Sequence, residues 1–342
     1  MNIYDLRSDT ITKPTAGMRQ AMANAEVGDD VYSEDPTVNL LEGLAAQLTG
    51  KESALLVTSG SMGNLIPLYI NGGRGTEVLA HTSSHIIQHE VGAAAAIAGI
   101  LPIGVESPRG LLNAQVLEPH IKPIVYDLAR TAMIEVENTI GGVCYPLETL
   151  LEIKDLADRH HLKIHMDGAR LWNASIATGH PVHEIAAVAD TVTFCLSKGL
   201  GAPVGSLLCG NRPFIAQARS VRKMLGGGMR QAGILAAAGI YALEHHVARL
   251  AEDHADARKI AEALSHTGWA QLTLGDVETN IIFFSVPGYT GQQVVSLFAS
   301  KGILCTCEND CIRLVTNLDL SGHDTDEVCR IIDRIDITEA QQ

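Results

Sequence analysis

Aromatic residues, basic clusters and long apolar runs are all scarce in this chain of 342 residues. Aromatic residues make up only 4% of the sequence, while glycine contributes 32 residues; such a composition favours close helix packing and broad contacts between subunits. The formal net charge is −14 and no lysine–arginine run exists, which argues against binding to nucleic acid. No apolar stretch is long enough to span a bilayer, and residues 1–9 show no signal-peptide pattern.

The seven cysteines are an odd and scattered set, which predicts reduced thiols and a cytoplasmic location. Only Cys305, Cys307 and Cys311 lie close together in the sequence. Their C-x-C-x3-C spacing differs from the usual spacings of structural zinc sites, so we predict no metal site there. The chain is long enough for one large domain and a smaller one.

One lysine follows an uncharged segment that is typical of a buried strand. The segment Thr191–Leu196 is β-branched or apolar throughout, and Lys198 comes after it, among Ser197, Gly199 and Gly201. Small neighbours let another molecule approach the backbone closely. An ammonium group at the end of an apolar strand is poorly hydrated, which favours the free amine that forms a Schiff base with an aldehyde. A lone lysine more often only closes a strand.

A second strand upstream supports the functional interpretation. The segment Leu162–Asp167 ends in an aspartate, and a helix-like segment, His183–Ala189, separates it from the strand before Lys198. Strand, helix and strand within about 30 residues make one βαβ unit, whose two strands are parallel and end at the same sheet edge. Asp167 and Lys198 are therefore expected to face one crevice. A lysine for an aldehyde and an aspartate for a pyridinium nitrogen are the pair that pyridoxal phosphate requires.

A glycine- and serine-rich turn offers an anion site. The predicted strand Ala54–Thr58 runs into Ser59–Asn64, and a helix is expected from about Leu65. Unpaired backbone N–H groups at a helix start attract anions such as a phosphate. The turn matches neither the P-loop nor the dinucleotide-binding motif, which disfavours a nucleotide, and alone such a turn more often only packs.

Other polar residues have two interpretations each. His85 and His89 are four residues apart and could bind zinc, although a companion glutamate motif is lacking, or His85 could stack on a flat cofactor ring. Arg313 interrupts the apolar strand 312–316 and needs an anionic partner, either a structural carboxylate or the carboxylate of a substrate. The segment 222–231 is basic and glycine-rich, and is either a flexible turn or an anion site.

The order of elements predicts an α/β fold with a mostly parallel central sheet flanked by helices. We assign a large cofactor-binding domain to residues 1–248, including an N-terminal arm at 1–14, and a smaller α+β domain to residues 249–342. Strands are expected near 54–58, 77–80, 133–139, 162–167, 191–196, 204–209, 280–286 and 312–316, and helices near 16–25, 36–49, 183–189, 232–246, 255–265 and 292–301.

Several motifs in the same order resemble the L-threonine aldolases of the low-specificity type, in the aspartate-aminotransferase-like (fold type I) group of pyridoxal-phosphate enzymes. The likeness covers nearly the whole chain, and a series of long motifs is far more specific than any single one. The motifs are D-L-R-S-D-T at 5–10, V-G-D-D-V-Y at 27–32, S-G-S-M-G-N at 59–64, E-N-T at 137–139, D-G-A-R at 167–170, C-L-S-K-G-L at 195–200, G-A-P-V-G-S at 201–206, R-K-M-L-G-G-G-M-R-Q at 222–231 and I-R-L-V-T at 312–316.

The resemblance implies a set of cofactor-binding residues. Lys198 would hold the aldehyde of pyridoxal 5′-phosphate, and Asp167 would pair with its ring nitrogen. Gly60 and Ser61 would hold the phosphate, and His85 would stack on the ring and help catalysis. The implied reaction is the retro-aldol cleavage of L-threonine, L-allo-threonine and related β-hydroxy-α-amino acids to glycine and an aldehyde.

The resemblance also implies substrate-binding and intersubunit residues. Ser8, Arg170 and Arg313 would grip the substrate carboxylate, and Arg170 also belongs to the implied cofactor-binding set. Lys223 and Arg230 would complete that set from a neighbouring subunit, because the family forms tetramers built from dimers. We therefore predict a homotetramer with its sites at the dimer interface.

This chain departs from the family at three positions. Many members have a histidine where this chain has Asp127, often another where it has Ile140, and usually a third where it has Asn317. These positions bear on the threo or erythro preference and on the identity of the catalytic base. Our hypothesis at this point is that Asp127, which we also count among the substrate-binding residues, or a water held by His85 serves as the base.

Three alternatives remain open from the sequence. The same cofactor apparatus serves racemases, β-eliminating lyases and aminotransferases, which sequence separates poorly from aldolases. A metal-dependent aldolase could use His85, His89, Glu90 and Asp167. A binding protein that kept only the fold is the last alternative, and the lysine–aspartate pair argues against it.

Overall fold

The computed structural model describes residues 2–341. Its helices are α1 Ala16–Ala23, α2 Pro36–Thr49, α3 Gly60–Pro67, α4 His85–Gln88, α5 Ala114–Leu117, α6 Leu147–His160, α7 Leu171–Thr178, α8 Val182–Ala186, α9 Arg212–Met224, α10 Gly233–His245, α11 Leu250–His266, α12 Gly291–Ser300 and α13 Gly322–Asp333. Its strands are β1 Tyr4–Asp5, β2 Ser53–Val57, β3 Glu77–His81, β4 Leu101–Val105, β5 Thr131–Glu137, β6 Lys163–Asp167, β7 Thr191–Cys195, β8 Ser206–Gly210, β9 Ile281–Phe284, β10 Ile303–Leu304, β11 Thr306–Glu308 and β12 Cys311–Val315.

The centre of the molecule is a seven-stranded sheet in the order β2-β8-β7-β6-β5-β3-β4. The neighbours from β4 through β7 are all parallel, and β8 runs antiparallel to both β7 and β2. Helices cover both faces, which explains why β5 to β8 are buried along almost their whole length. The predicted α/β fold with a mostly parallel sheet is confirmed.

The C-terminal part has its own small antiparallel sheet, in the order β11-β12-β9, and its own hydrophobic cluster. This cluster includes Tyr4 and Leu6, because β1 pairs in parallel with β10. The start of the predicted N-terminal arm therefore packs with the C-terminal part of the chain. Helix α11 begins at Leu250, next to the predicted domain boundary, and the division at residue 249 stays a prediction.

Local sequence signals explain the helix ends that position the site. Asp35 caps α2 through bonds to the N–H groups of Thr37 and Val38, Pro36 is its first residue, and Gly50 ends it at φ 67°. Helix α7 was not predicted. Its first four residues are all buried, so it lacks the polar face that makes an amphipathic helix visible in a sequence.

No helix among the described residues has the length and apolar character that crossing a membrane requires.

Candidate active site

A row of buried polar side chains crosses the central sheet beneath α3. In the register of the sheet, Glu135 of β5 is the neighbour of His165 in β6, and Glu137 is the neighbour of Asp167. Asp167 in turn is the neighbour of Thr193 in β7. Neighbours in register share a sheet face, and so do residues two apart along a strand. The face under α3 is therefore polar, although it is almost fully buried.

Lys198 lies just beyond β7, at the carboxyl edge of the parallel strands, where ligands bind in sheets of this kind. It is half-buried and lines a cleft of about 630 Å³. The same cleft is lined by Ser8, His85, Arg170 and Arg313. The structure thus brings five of the residues that the motifs predicted for one site onto one cleft.

Asp167 lies at the end of β6 and is only 3% exposed. Its Oδ2 accepts a hydrogen bond from Asn64 Nδ2 at 2.6 Å, and its Oδ1 accepts one from the backbone N–H of Ala169 at 2.9 Å. The side-chain oxygen of Asn64 is hydrogen-bonded to Nε2 of the buried His165 at 3.1 Å. Asn64 was not among the predicted site residues, although it closes the S-G-S-M-G-N motif that drew attention to this turn.

His85 is fixed from both its side chain and its backbone. Its Nδ1 donates to Glu90 Oε1 at 2.9 Å, and this bond raises the pKa of His85 while burial opposes the rise. Its backbone N–H donates to Glu137 Oε2 at 2.8 Å. The His89 ring lies 5.4 Å from the His85 ring, also on the cleft. Side-chain atoms of His85, Glu90 and Asp167 that could bind a metal ion lie within 4.8 Å of one another, which is the spacing that the metal-dependent alternative requires.

Two glutamates of β5 have unusual environments. Burial, followed by the charge of Asp167, raises the pKa of Glu137 to about 7, and Glu137 lines the cleft. Burial, followed by the charges of Glu137, Asp167 and Glu90, raises the pKa of Glu135 well above its ordinary value. Neither glutamate was predicted as a site residue, because only the strand and its E-N-T end were visible in the sequence.

Arg170 is held by a carboxylate of its own chain. Its Nε and Nη2 donate to the two oxygens of Asp9 at 2.8 and 2.6 Å, a bidentate pair that is also bonded by Asn280. Burial alone would raise the pKa of Asp9, but the charge and hydrogen bonds of Arg170 lower it to about 2. The predicted grip of Arg170 on a substrate is therefore limited to its remaining nitrogen, and Asp9 is a partner that the sequence did not reveal.

Arg313 differs from Arg170 because it has no carboxylate partner among the described residues. It is half-buried, and its one hydrogen bond is to the backbone oxygen of Arg7 at 3.5 Å. Burial, followed by the charge of Arg170, lowers the pKa of Arg313 to about 10. An unpaired guanidinium group on a cleft is a strong site for a carboxylate.

The start of α3 fits the predicted anion site. The side chain of Ser59 caps the helix at the N–H of Met62, and the N–H groups of Gly60 and Ser61 make no hydrogen bond within residues 2–341. A Cβ atom at Gly60 would lie 3.0 Å from Cys195 Sγ, and one at Gly63 would lie 2.4 Å from the side chain of Thr193. Glycine is needed there so that α3 can approach β7 closely.

Three of the predicted residues are exposed on the surface and do not line the cleft. Asp127 is in the segment 121–130, Lys223 is in the last turn of α9, and Arg230 is in the loop that follows α9. Arg230 pairs with Asp29 at 3.0 Å. A single chain therefore brings Lys198, Asp167, His85, Ser8 and Arg313 into one region, but not these three residues.

The fold and the site define an α/β protein with a lysine and a carboxylate at the carboxyl ends of neighbouring strands of the central sheet. The family model described as beta-eliminating lyase matches residues 5–287, and the chain therefore belongs to this family. The chain is 43% identical over 327 residues to the low specificity L-threonine aldolase of Escherichia coli K12. This alignment covers 95% of this chain and 97% of the E. coli protein. It is 42% identical over 335 residues to the low-specificity L-threonine aldolase 1 of Arabidopsis thaliana, and this alignment covers 95% of this chain and 94% of the Arabidopsis protein.

Solved structures agree with the fold. The threonine aldolase of Leishmania major superimposes with a TM-score of 0.83 over 97% of this chain and 99% of that chain, at 20% identity. A serine palmitoyltransferase of Sphingomonas wittichii gives a TM-score of 0.74 over 97% and 86%, at 15% identity. The resemblance that the motifs predicted is confirmed by the relatives, and the fold is shared with more distant proteins.

Proposed function

We propose that this protein is a pyridoxal-phosphate-dependent aldolase that cleaves L-threonine, L-allo-threonine and related β-hydroxy-α-amino acids to glycine and an aldehyde. The observation that carries the proposal is that Asp167 and Lys198 lie at the carboxyl ends of neighbouring parallel strands, and that the unpaired Arg313 lines the same cleft as Lys198. The E. coli and Arabidopsis relatives, similar over nearly the whole chain, bear the name of this activity.

The residues present fit the cofactor. Lys198 offers an amine for its aldehyde, and Asp167, held by two donors, offers a carboxylate for its ring nitrogen. The free N–H groups of Gly60 and Ser61 offer a phosphate site. The ring of His85, held by Glu90, offers a flat surface. When bound, pyridoxal phosphate supplies an electron sink that stabilises negative charge on the substrate's Cα.

The remaining cleft residues orient the amino acid. Arg313 and the hydroxyl group of Ser8 bind the substrate carboxylate, and Arg170, fixed by Asp9, contributes its free nitrogen and its charge. Holding the carboxylate at a fixed place selects which bond to Cα breaks, because the substrate can then adopt only one orientation. Racemase, β-eliminating and aminotransferase activities share this apparatus, and product analysis separates them from the aldolase.

The metal-dependent alternative has one observation in its favour, the closeness of His85, Glu90 and Asp167. Asn64 Nδ2, however, donates to both Glu90 and Asp167, at 2.9 and 2.6 Å. An amide donor that satisfies both carboxylates takes the bonding positions that a cation would need. We therefore rank the metal-dependent reaction below the reactions that use pyridoxal phosphate.

The proposed assembly is a cytoplasmic homotetramer built from dimers. Lys223, Arg230 and Asp127 lie on the surface of one chain, and a site at a dimer interface would give them a neighbouring cleft to reach. The segment 121–130 supports this proposal, because Ile124 is 85% exposed and Tyr126 is 101% exposed. Exposed apolar residues that cluster in this way are typical of a protein interface.

The test is the visible spectrum of the purified protein with pyridoxal phosphate, before and after adding glycine or L-threonine. We expect bound cofactor to absorb in the visible range, glycine to produce a new long-wavelength band, and L-threonine to release acetaldehyde. Lys198→Ala should abolish acetaldehyde release, whereas Lys154→Ala, which changes a partly exposed lysine of α6 that does not line the cleft, should not. A protein that takes up no cofactor, or whose aldolase activity a chelator removes, would refute the proposal.

A further inference from the structure

Four carboxyl groups lie close enough to influence one another, and one of them, Glu137, lines the cleft. One oxygen each from Glu135, Glu137 and Asp167 lies within 4.8 Å of the others, and Glu90 shares a similar cluster with Asp167. All four are buried or nearly so. Carboxyl groups at this spacing in a buried site cannot all be ionised at once. Their different surroundings therefore determine which of them carry a proton.

The four carboxyl groups differ in the number of hydrogen-bond donors that contact them. Asp167 receives two donors, from Asn64 and Ala169, and Glu90 also receives two, from Asn64 and His85. Glu137 receives one, the backbone N–H of His85. Neither oxygen of Glu135 has a partner among residues 2–341. Because hydrogen-bond donors stabilise the charged form of a carboxyl group, Glu135, which has no donor, keeps its proton, whereas Glu137 has one donor that opposes the effect of burial.

Other groups around Glu137 also affect its pKa. Burial and the charge of Asp167 raise the pKa of Glu137 to about 7, while the His85 backbone bond and the charges of Lys198 and His85 oppose the rise. The titratable and charged groups that face the two glutamates are Glu90, His85, Tyr145, Asp167, Arg170 and Lys198. Of the four carboxyl groups, only Glu137 lines the cleft, and its environment raises its pKa toward neutral pH.

We propose that Glu137 is the acid–base residue of the cleavage, and that Glu135 stays protonated so that it adds no negative charge beside it. This proposal rests on the proposed aldolase function. Glu137 takes the proton of the substrate's β-hydroxyl group, and the electrons of that O–H bond form the C=O bond of the aldehyde. The electron pair of the broken Cα–Cβ bond stays with Cα, which then takes the proton back from Glu137.

The reaction consumes and releases no net proton, so no further reactant is needed. L-threonine becomes glycine and acetaldehyde, one proton leaves the hydroxyl group, and one proton reaches Cα. A single group that accepts and returns a proton is therefore sufficient, and it works best when its pKa lies near the working pH. Glu137 is placed by β5 and by the His85 backbone, both within one chain, whereas Asp127 is exposed.

The test compares Glu137→Gln with wild type, both loaded with pyridoxal phosphate. Glutamine keeps the shape and can still accept the His85 N–H, but it cannot exchange a proton. We expect cofactor absorption to be retained and kcat for L-threonine to fall by about 100-fold or more, with partial recovery in Glu137→Asp. Glu148→Gln, an exposed glutamate of α6, should match wild type. A Glu137→Gln variant that keeps kcat within about threefold would overturn the proposal, because general acid–base catalysis is worth more than that.

The pH dependence tests the second half of the proposal. Wild-type kcat/KM should rise with pH through about 7 as Glu137 loses its proton, and this limb should be absent from Glu137→Gln. Glu135→Gln should leave the midpoint unchanged, because it replaces one neutral group by another. A midpoint that falls markedly in Glu135→Gln would show that Glu135 carries a charge, which would refute its assigned role.

Infrared spectroscopy gives a readout that needs no turnover. The band of protonated carboxyl groups should contain one component that persists to high pH and is missing in Glu135→Gln. A second component should disappear near pH 7 and be missing in Glu137→Gln. If wild type neither binds cofactor nor releases acetaldehyde, the aldolase proposal fails, yet these bands still report the proton distribution. If wild type is active and the second component is absent, the Glu137 proposal alone fails.

Discussion

Two groups of residues were predicted for the same site, and the structure treats them differently. Asp167 ends the buried strand β6, Lys198 follows the buried strand β7, and Arg313 lies in the middle of β12, on the same cleft as Lys198. Asp127 and Lys223 lie on exposed segments of the same chain. A single chain therefore places the first group, which we call the inner group, around one cleft, whereas the second, the outer group, lies on its surface.

The difference follows from how each group is positioned. Register and burial fix the end of a strand in a parallel sheet, because a shift by one residue would move every side chain to the opposite face. The segment 121–130 has no such constraint, and it exposes Ile124 and Tyr126 to solvent. We infer that the inner residues act within one chain, and that the outer residues gain their function only when a second copy covers them.

Of the three substitutions that compare the inner with the outer group, the one at Arg313, the unpaired cation of the inner group, is expected to have the largest effect. Arg313→Leu removes a charge-assisted grip on the substrate carboxylate, worth about 1.5–3 kcal/mol, so we expect kcat/KM for L-threonine to fall about 10- to 100-fold, mainly through KM. Arg334→Leu, an exposed arginine after α13, is the matched control. Unchanged KM in Arg313→Leu would show that the carboxylate is held elsewhere, for example by the free nitrogen of Arg170.

A middle-sized effect is expected for Lys223, which belongs to the outer group. Lys223→Ala should lower activity about tenfold if its charge contacts a neighbouring site. Mixing Lys198→Ala and Lys223→Ala subunits, after dissociation and reassociation, should restore about a quarter of wild-type activity, because half of the dimers then contain one intact site. If the mixture is no more active than its components, the two residues serve the same chain's site, and the division into inner and outer groups is wrong.

The sequence predicted the inner group well because its signals are local. A strand followed by a lysine, a strand ending in an aspartate, and the rule that parallel strands end at one edge were enough to bring Asp167 and Lys198 together. The glycine-rich turn before α3 was equally visible. The predicted parallel sheet and the family resemblance were confirmed for the same reason, since each rests on segments of about ten residues that carry their own pattern.

The partners of these residues could not be predicted, because they depend on contacts between distant segments. Asn64 meets Asp167 across 103 positions of the chain, and Arg170 meets Asp9 across 161. Both side-chain oxygens of Glu135 lack hydrogen-bond donors among the described residues. This property depends on the residues packed around β5, so the sequence of β5 alone does not predict it. The hydrogen bonds and ion pairs that set the charges of the site therefore depend on the fold, although the position of the reactive lysine could be predicted from the sequence.

The smallest expected effect concerns Asp127, which the sequence comparison suggested as the catalytic base. If Glu137 exchanges the proton, Asp127→Asn should change kcat by about threefold or less, since only an outer contact to the substrate is altered. The ratio of rates for L-threonine and L-allo-threonine is the more sensitive measurement, because a group near the β-hydroxyl end distinguishes the two diastereomers. A loss of kcat in Asp127→Asn as large as that in Glu137→Gln would move the base to the outer group, and the proton would then be exchanged across a subunit boundary.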